Sequence, residues 1–419
     1  MRIALYTHPA LFEPALSLAD ALADSAEVHL LLEVHPEKWS VANFEGVRSD
    51  LPAGLVAADA VLAPSYPPAV RRMWRKAASF HLVVHSKRQG RNLNPLRTTL
   101  DVLRWIRDKH LDVLHIDDVD ISPRLALGLA VAGAPCPVLI GCHDPDPHSG
   151  ERHWRRKHAT RVLAFSRADA VLVHHEGGRS ALRRRHPRLR GRVHTVRLGT
   201  YDFLRHLARP PDPAADAAGP DHGPVVLLFG RLTPYKGIEE LFRAAPLVAR
   251  AVPGVRFVIA GKPVAGYLPP RAPRLEGSGQ VETRYGYVAS TAIAALFRQA
   301  EVAVCPYTDA SQSGVVLTAF AFGCPVVATS VGGMAEYVED GVTGLLVPPN
   351  DHHALAAALI RCLREPGLVA RLREGVAAVA ASDLSWKRAG SELLSVYAVV
   401  ARGRAAGRHR GRSGDPGQR

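Results

Sequence analysis

The chain has 419 residues, 47% hydrophobic and 22% charged, proportions that fill real cores and exclude both one small module and a wholly disordered chain. A formal net charge of +14 favours acidic partners without choosing among phosphorylated small molecules, anionic lipid and nucleic acid. Five cysteines, odd in number and with no C-x-x-C pair, signal neither a disulfide framework nor a thiolate zinc site, so reduced thiols in a cytoplasmic protein are expected.

Short apolar runs alternate with helical patterns from the start. RIALYT (2–7) reads as a strand too short for a signal-peptide core, and a helix follows near Pro14 to Ala26. VHLLLEV, FHLVVH and VLHI read as further strands. Leu125 to Cys142 lacks charge over 18 residues, but Gly133, Pro135 and Pro137 divide it into a buried helix ending near Ala132 and a strand at Val138–Ile140, rather than a membrane span. With AVLVHH and VHTVRL these runs predict a parallel α/β sheet over residues 1–203. Residues 204–223 include PPDPAADAAGPDHG, which lacks branched apolar residues and reads as a linker. A second α/β series, VVLLFG, RFVIAG, VETRYGYV, VAVCP, PVVAT and GLLVPP, occupies 224–383. Residues 384–401 suit one further helix, and 402–419, with six basic residues and one acidic, suit a disordered basic tail. Two Rossmann-like units in tandem would face one ligand across a cleft.

The segment VVLLFGRLTPYKGIEELFRAAPLVAR (225–250) carries the chemistry. A strand ends at Gly230, Arg231 sits at its carboxyl end, and Lys236-Gly237 opens an amphipathic helix. Two cations beside a helix amino terminus make a site for a diphosphate; two solvated loop charges are the plainer alternative. Farther on, Cys305 to Asp351 alternates strand, small polar loop, helix and glycine turns at one sheet edge.

GRLTPYKG together with AFGCPVVATSVGGMAEYVEDGVTGLLVPP resembles the donor domain of the retaining glycosyltransferases of family four, and nearly the whole chain follows that pattern. The resemblance implies the GT-B fold, with a closing helix at SWKRAGSELLSVY that crosses back onto the first domain. It also implies a nucleotide-diphosphate sugar donor, a hydroxyl acceptor, a front-face displacement with retention, and no cofactor or metal. In this sequence Arg231 and Lys236, with Gly230 and Gly237 in their turn, would bind the distal phosphate, and Gly314 and Val315 would approach the diphosphate. Tyr285, Gly286, Tyr287 and Val288 would lie beside the nucleobase. His143 would approach the sugar on the acceptor side, oriented by Asp144, with His8 in the loop after the first strand where the family has Gly-Gly. The two signature glutamates are Ala310 and Thr318 here, and Ser311-Gln312-Ser313-Gly314 resembles a variant subgroup in which Gln312, Ser313 and Thr318 supply altered donor contacts.

Several other readings remain open. His143, Asp144, Asp146, His148 and His153 have metal-ligand chemistry, but Pro145 and Pro147 make their segment a stiff loop. Asp117, Asp118 and Asp120 read as a solvated loop. Arg71–Lys76, with Met73 and Trp74 as an aromatic anchor, and the seven arginines of Arg179–Arg192 suit an anionic membrane surface and a lipid-linked saccharide acceptor, hence a peripheral location at the inner face of the plasma membrane. Nothing resembles an RNA-stacking motif or a recognition helix, so no nucleic-acid partner is expected. A nonhydrolysing sugar-nucleotide epimerase and a noncatalytic nucleotide-sugar binding protein are the rival functions.

Overall fold

Runs of Val, Ile, Leu and Ala form the strands, because branched side chains suit a pleated surface and a sheet covered on both faces needs apolar residues on each side. A computed structural model describes residues 1–35, 51–85, 94–118, 123–145, 154–208, 223–310 and 312–412. They group into two units. The first, Met1–Pro145 with Glu151–Leu198 and the C-terminal segment from Trp386, is built on eight strands. These are β1 (Arg2–Thr7), β2 (Glu27–Val34), β3 (Gly54–Ala57), β4 (Ser79–Val84), β5 (Val113–Ile116), β6 (Val138–Gly141), β7 (Ala170–Val173) and β8 (Val193–Thr195). Their order is β3-β4-β2-β1-β5-β6-β7-β8, parallel except for the β3–β4 pair. The antiparallel edge strand β3, a four-residue stretch beginning at Gly54, has too weak a pattern to be read from sequence.

The second unit, Gly199–Ser385, carries β9 (Val225–Phe229), β10 (Arg256–Gly261), β11 (Gln280–Tyr285), β12 (Ala300–Cys305), β13 (Val326–Thr329) and β14 (Gly344–Val347), all parallel, in the order β11-β10-β9-β12-β13-β14. In such sheets the carboxyl ends of the strands lie at one edge, and ligand-binding loops follow them. Leu228, Ile238, Leu241, Phe257, Val302 and Leu345 are among the buried residues that join sheet and helices in its core.

Three sequence readings change. The helix at the C-terminus runs Trp386–Arg412, so residues 402–412 are helical rather than disordered; Ala and Arg are good helix formers. Within it Arg404 donates to the carbonyls of Cys136 (2.6 Å) and Ala134 (2.5 Å) and to Asp169 (3.0 Å), which fastens the helix to the first unit. Residues 413–419 and 209–222 lie outside the described residues. The uncharged stretch at 125–142 is a helix, Pro123–Ala132, followed by β6, but that helix exposes Leu127 and Val131 and is not wholly buried. Trp74 is 2% exposed and donates its indole N–H to Asp59 at 2.8 Å, packed against Tyr66 and Phe80, so it cannot serve as a membrane anchor. Its neighbours Arg75 and Lys76 pair with Asp59 and Asp20. Among the described residues no helix is long and apolar enough to cross a membrane.

Candidate functional site

In the second unit β9 is followed by Gly230, whose φ of +109° favours glycine; the turn then passes Arg231 and a single 3-10 turn, Pro234–Lys236. Gly237 adopts φ +68°, and a Cβ there would sit 1.8 Å from the Pro306 carbonyl oxygen, so only glycine lets Lys236 and the helix Ile238–Ala251 come this close to the end of β12. Arg231 is exposed, whereas Lys236 is buried at 7% exposure. Its ammonium lies 4.0 Å from the centre of the Tyr307 ring and 5.6 Å from that of Tyr235, and it donates to the Tyr307 hydroxyl. Burial pulls the Lys236 amine down to about 8, and Arg231 adds to the effect. Among the described residues no carboxylate acts on it.

The loop before the helix Gly314–Ala321 reaches the same place. The Tyr307 and Ser313 hydroxyls are 3.0 Å apart, and Ser313 caps the helix by accepting the Val316 N–H. Gly314 and Val315 form the first turn, where backbone N–H groups have no partner inside the helix. A Cβ at Gly230 would meet the Val315 side chain at 3.0 Å and one at Gly314 would meet the Tyr201 ring at 3.1 Å, so both are tight approaches. Gly230, Lys236, Gly237, Ser313, Gly314 and Val315 are thus brought together, with Gln312 half-buried beside them. Thr318 is 4% exposed, and its hydroxyl donates back to the Gly314 carbonyl at 2.8 Å. Ala310 is buried as well, and Ser311 lies outside the described residues. Tyr285, Gly286, Tyr287 and Val288 line a groove with the helix Ser290–Gln299, and the Gly286 N–H donates to the carbonyl of Gly261, which packs against Gly230, at 3.0 Å.

At the carboxyl edge of the first unit, adjacent strands bring together groups far apart in sequence. His8 follows β1, Asp117 follows β5, His143 follows β6 and His174 follows β7. Asp117 does not belong to a solvated loop. Its carboxylate accepts from Thr7 at 2.9 Å and lies 3.5 Å from His143 Nε2. A Cβ at Gly141 would fall 2.0 Å from the Asp117 carbonyl oxygen, which is why β6 can run so close. Asp117 is thus an acid placed to orient His143, and the charge of Asp144 acts on the same ring. The rings of His143 and His174 are 4.4 Å apart. Behind them His115 pairs with Tyr397 of the C-terminal helix at 2.8 Å.

Burial alone would keep these imidazoles neutral, and it takes His8 and His115 down to about 4 and His174 to about 3. His143 goes the other way. Burial works against its charged form, but the bond and charge of Asp117, helped by Asp118 and Asp144, raise it. For Asp117 burial would raise the carboxyl, yet His143, His115 and Thr7 hold it at about 2. The proton therefore settles on one imidazole of the four. Asp117, His174 and Tyr307 had no sequence signal beyond their place just after a strand. Asp146, His148 and His153 lie outside the described residues, and among those described no group of three or more His, Cys, Asp or Glu could hold a metal ion.

Residues 223–365 match the family model of the glycosyl transferases group 1. This region is therefore similar to the glycosyl transferases group 1 domains. Over 252 residues the chain is 30% identical to alpha-D-kanosaminyltransferase of Streptomyces kanamyceticus, covering 59% of this chain and 63% of that protein. It is 35% identical over 178 residues to D-inositol 3-phosphate glycosyltransferase of Mycolicibacterium paratuberculosis, covering 41% and 40%. The chain thus spans less than two thirds of the length of these curated relatives. Among solved structures it resembles sucrose-phosphate synthase from Thermosynechococcus elongatus, with a TM-score of 0.67 at 19% identity over 96% of this chain and 99% of that one. It also resembles the Anabaena HepE protein in complex with UDP and glucose, with a TM-score of 0.64 at 17% identity over 95% and 99%. The fold of the chain is GT-B.

Proposed function

We propose that the protein transfers a sugar from a nucleoside diphosphate donor to a hydroxyl acceptor, with retention of configuration. The observation that carries this reading is Lys236, a buried ammonium beside a second cation with no carboxylate acting on it among the described residues. Unbalanced positive charge of that kind suits an anionic ligand, and a bound diphosphate would raise the lysine back toward its ordinary value. Arg231, Lys236 and the first turn of the helix Gly314–Ala321 would stabilise the leaving diphosphate in place of a metal ion. On the acceptor side His143, held by Asp117, would orient the acceptor hydroxyl, while the departing phosphate takes its proton. No protein nucleophile is needed.

With Ala310 and Thr318 in the signature positions, neither the sugar nor the ribose contact can come from a carboxylate there. Gln312 and Ser313 are our candidates, in a variant form of the family. The UDP found in the Anabaena structure makes uridine diphosphate the first ligand to try. A lipid-linked acceptor at an anionic membrane would engage the arginines of Glu176–Arg185, since Trp74 is excluded.

Replacing Lys236 or Arg231 by Ala is expected to lower transfer by roughly 10² to 10³, the effect of removing one preorganised contact to a charged transition state. Sugar transfer at the wild-type rate by either folded variant would overturn the assignment.

A further inference from the structure

We infer that Tyr307 is a positioning residue that holds the Lys236 ammonium by its ring face and phenolic oxygen and, through Ser313, ties that cation to the first turn of the helix Gly314–Ala321. The inference rests on the diphosphate reading and names the group that keeps its cation ready. Tyr307 is 1% exposed and follows β12, and its own carbonyl is fixed by the Thr329 hydroxyl at 2.6 Å. Tyr235 stands edge-on to it, with ring centres 5.9 Å apart at 85°.

An ammonium can only donate, so the phenolic oxygen accepts from Lys236, while between the Tyr307 and Ser313 hydroxyls either oxygen can be the donor. Ser313 also accepts from the Val316 N–H, at 3.4 Å. The groups acting on Lys236 are Tyr307 and Cys305 at the end of β12, Tyr235 beside it and Arg231 on its own segment. Burial keeps the Tyr307 phenol protonated well above the ordinary range and raises the Cys305 thiol, so both stay neutral while the lysine titrates. A cation buried beside Arg231 keeps its charge only if something nearby favours the charged form. A ring face and a phenolic oxygen do so without a carboxylate that would repel the diphosphate.

The test follows the titration of Lys236 directly, by trace acetylation of the folded protein against pH with mass spectrometry of the Lys236 peptide, with and without UDP. In Tyr307→Phe the ring remains and the oxygen is lost. Lys236 should then lose its proton about one unit lower, and UDP affinity should fall about fivefold near pH 8 but little near pH 6. Ser313→Ala, which leaves the lysine and the phenol in place, should move the same limb in the same direction by less. Lys236 titrating as in the wild type in either variant overturns the inference, as does a loss of UDP affinity that is equal at all pH. If UDP fails to protect Lys236 in the wild-type protein, the diphosphate reading falls, and the comparison of the two titrations still decides the role of Tyr307.

Discussion

Replacing Asp117 by Asn removes one charge while keeping the shape and the acceptor for Thr7. The Asp117 carboxyl is held at about 2 against an ordinary value of 3.8, a difference of roughly two units or about 2 kcal/mol at neutral pH. Because the folded value lies below the unfolded one, that stabilisation is present above about pH 4 and is lost as pH falls through about 2. The raised His143 value reports the same ion pair from the other side and is not counted again. Without that charge, burial works against the charged form of His143 with only the more weakly acting Asp118 and Asp144 opposing it, so the imidazole should lose its proton more readily. The assay is a histidine NMR titration, with His143→Gln to identify the signal, alongside urea unfolding near neutral pH and near pH 3. The expected result is a neutral His143 at neutral pH and a stability deficit of about 2 kcal/mol that shrinks in acid. An Asp117→Asn protein whose His143 titrates as in the wild type would refute the reasoning.

Gly237→Ala should lower the melting temperature strongly, because it combines a left-handed backbone with a Cβ placed on the Pro306 carbonyl, whereas alanine at Gly191, which meets open space, should change little. Exhaustive chelation should leave sugar transfer nearly unchanged if, as proposed, Arg231, Lys236 and helix-end N–H groups take the place of a divalent ion; abolition by chelator with rescue by manganese would reverse that reading. Sedimentation with anionic vesicles should weaken in 0.5 M salt, where the screening length is roughly 4 Å, and in a variant with Arg183, Arg184 and Arg185 changed to Ser. Equal binding to neutral vesicles would leave a soluble acceptor as the better proposal.

What the sequence determined by itself is what local pattern can carry. Apolar runs with a strand's length and helices between them declared two α/β series, because side-chain periodicity is a property of consecutive residues. Lys236, Arg231 and Gly314 were legible for the same reason, each sitting at a strand or helix end within a short, recognisable stretch. The partners were not legible. Asp117 meets His143 only because β5 and β6 are neighbours, and Tyr397 reaches His115 across 282 positions of chain. Trp74 looked like an anchor and is core, Thr318 looked like a ligand contact and bonds its own helix, and Arg404 looked like a tail residue and is a fastening. Burial and hydrogen-bond partnership are decided by which elements pack together, and the protonation of each imidazole follows from that packing rather than from its own place in the chain.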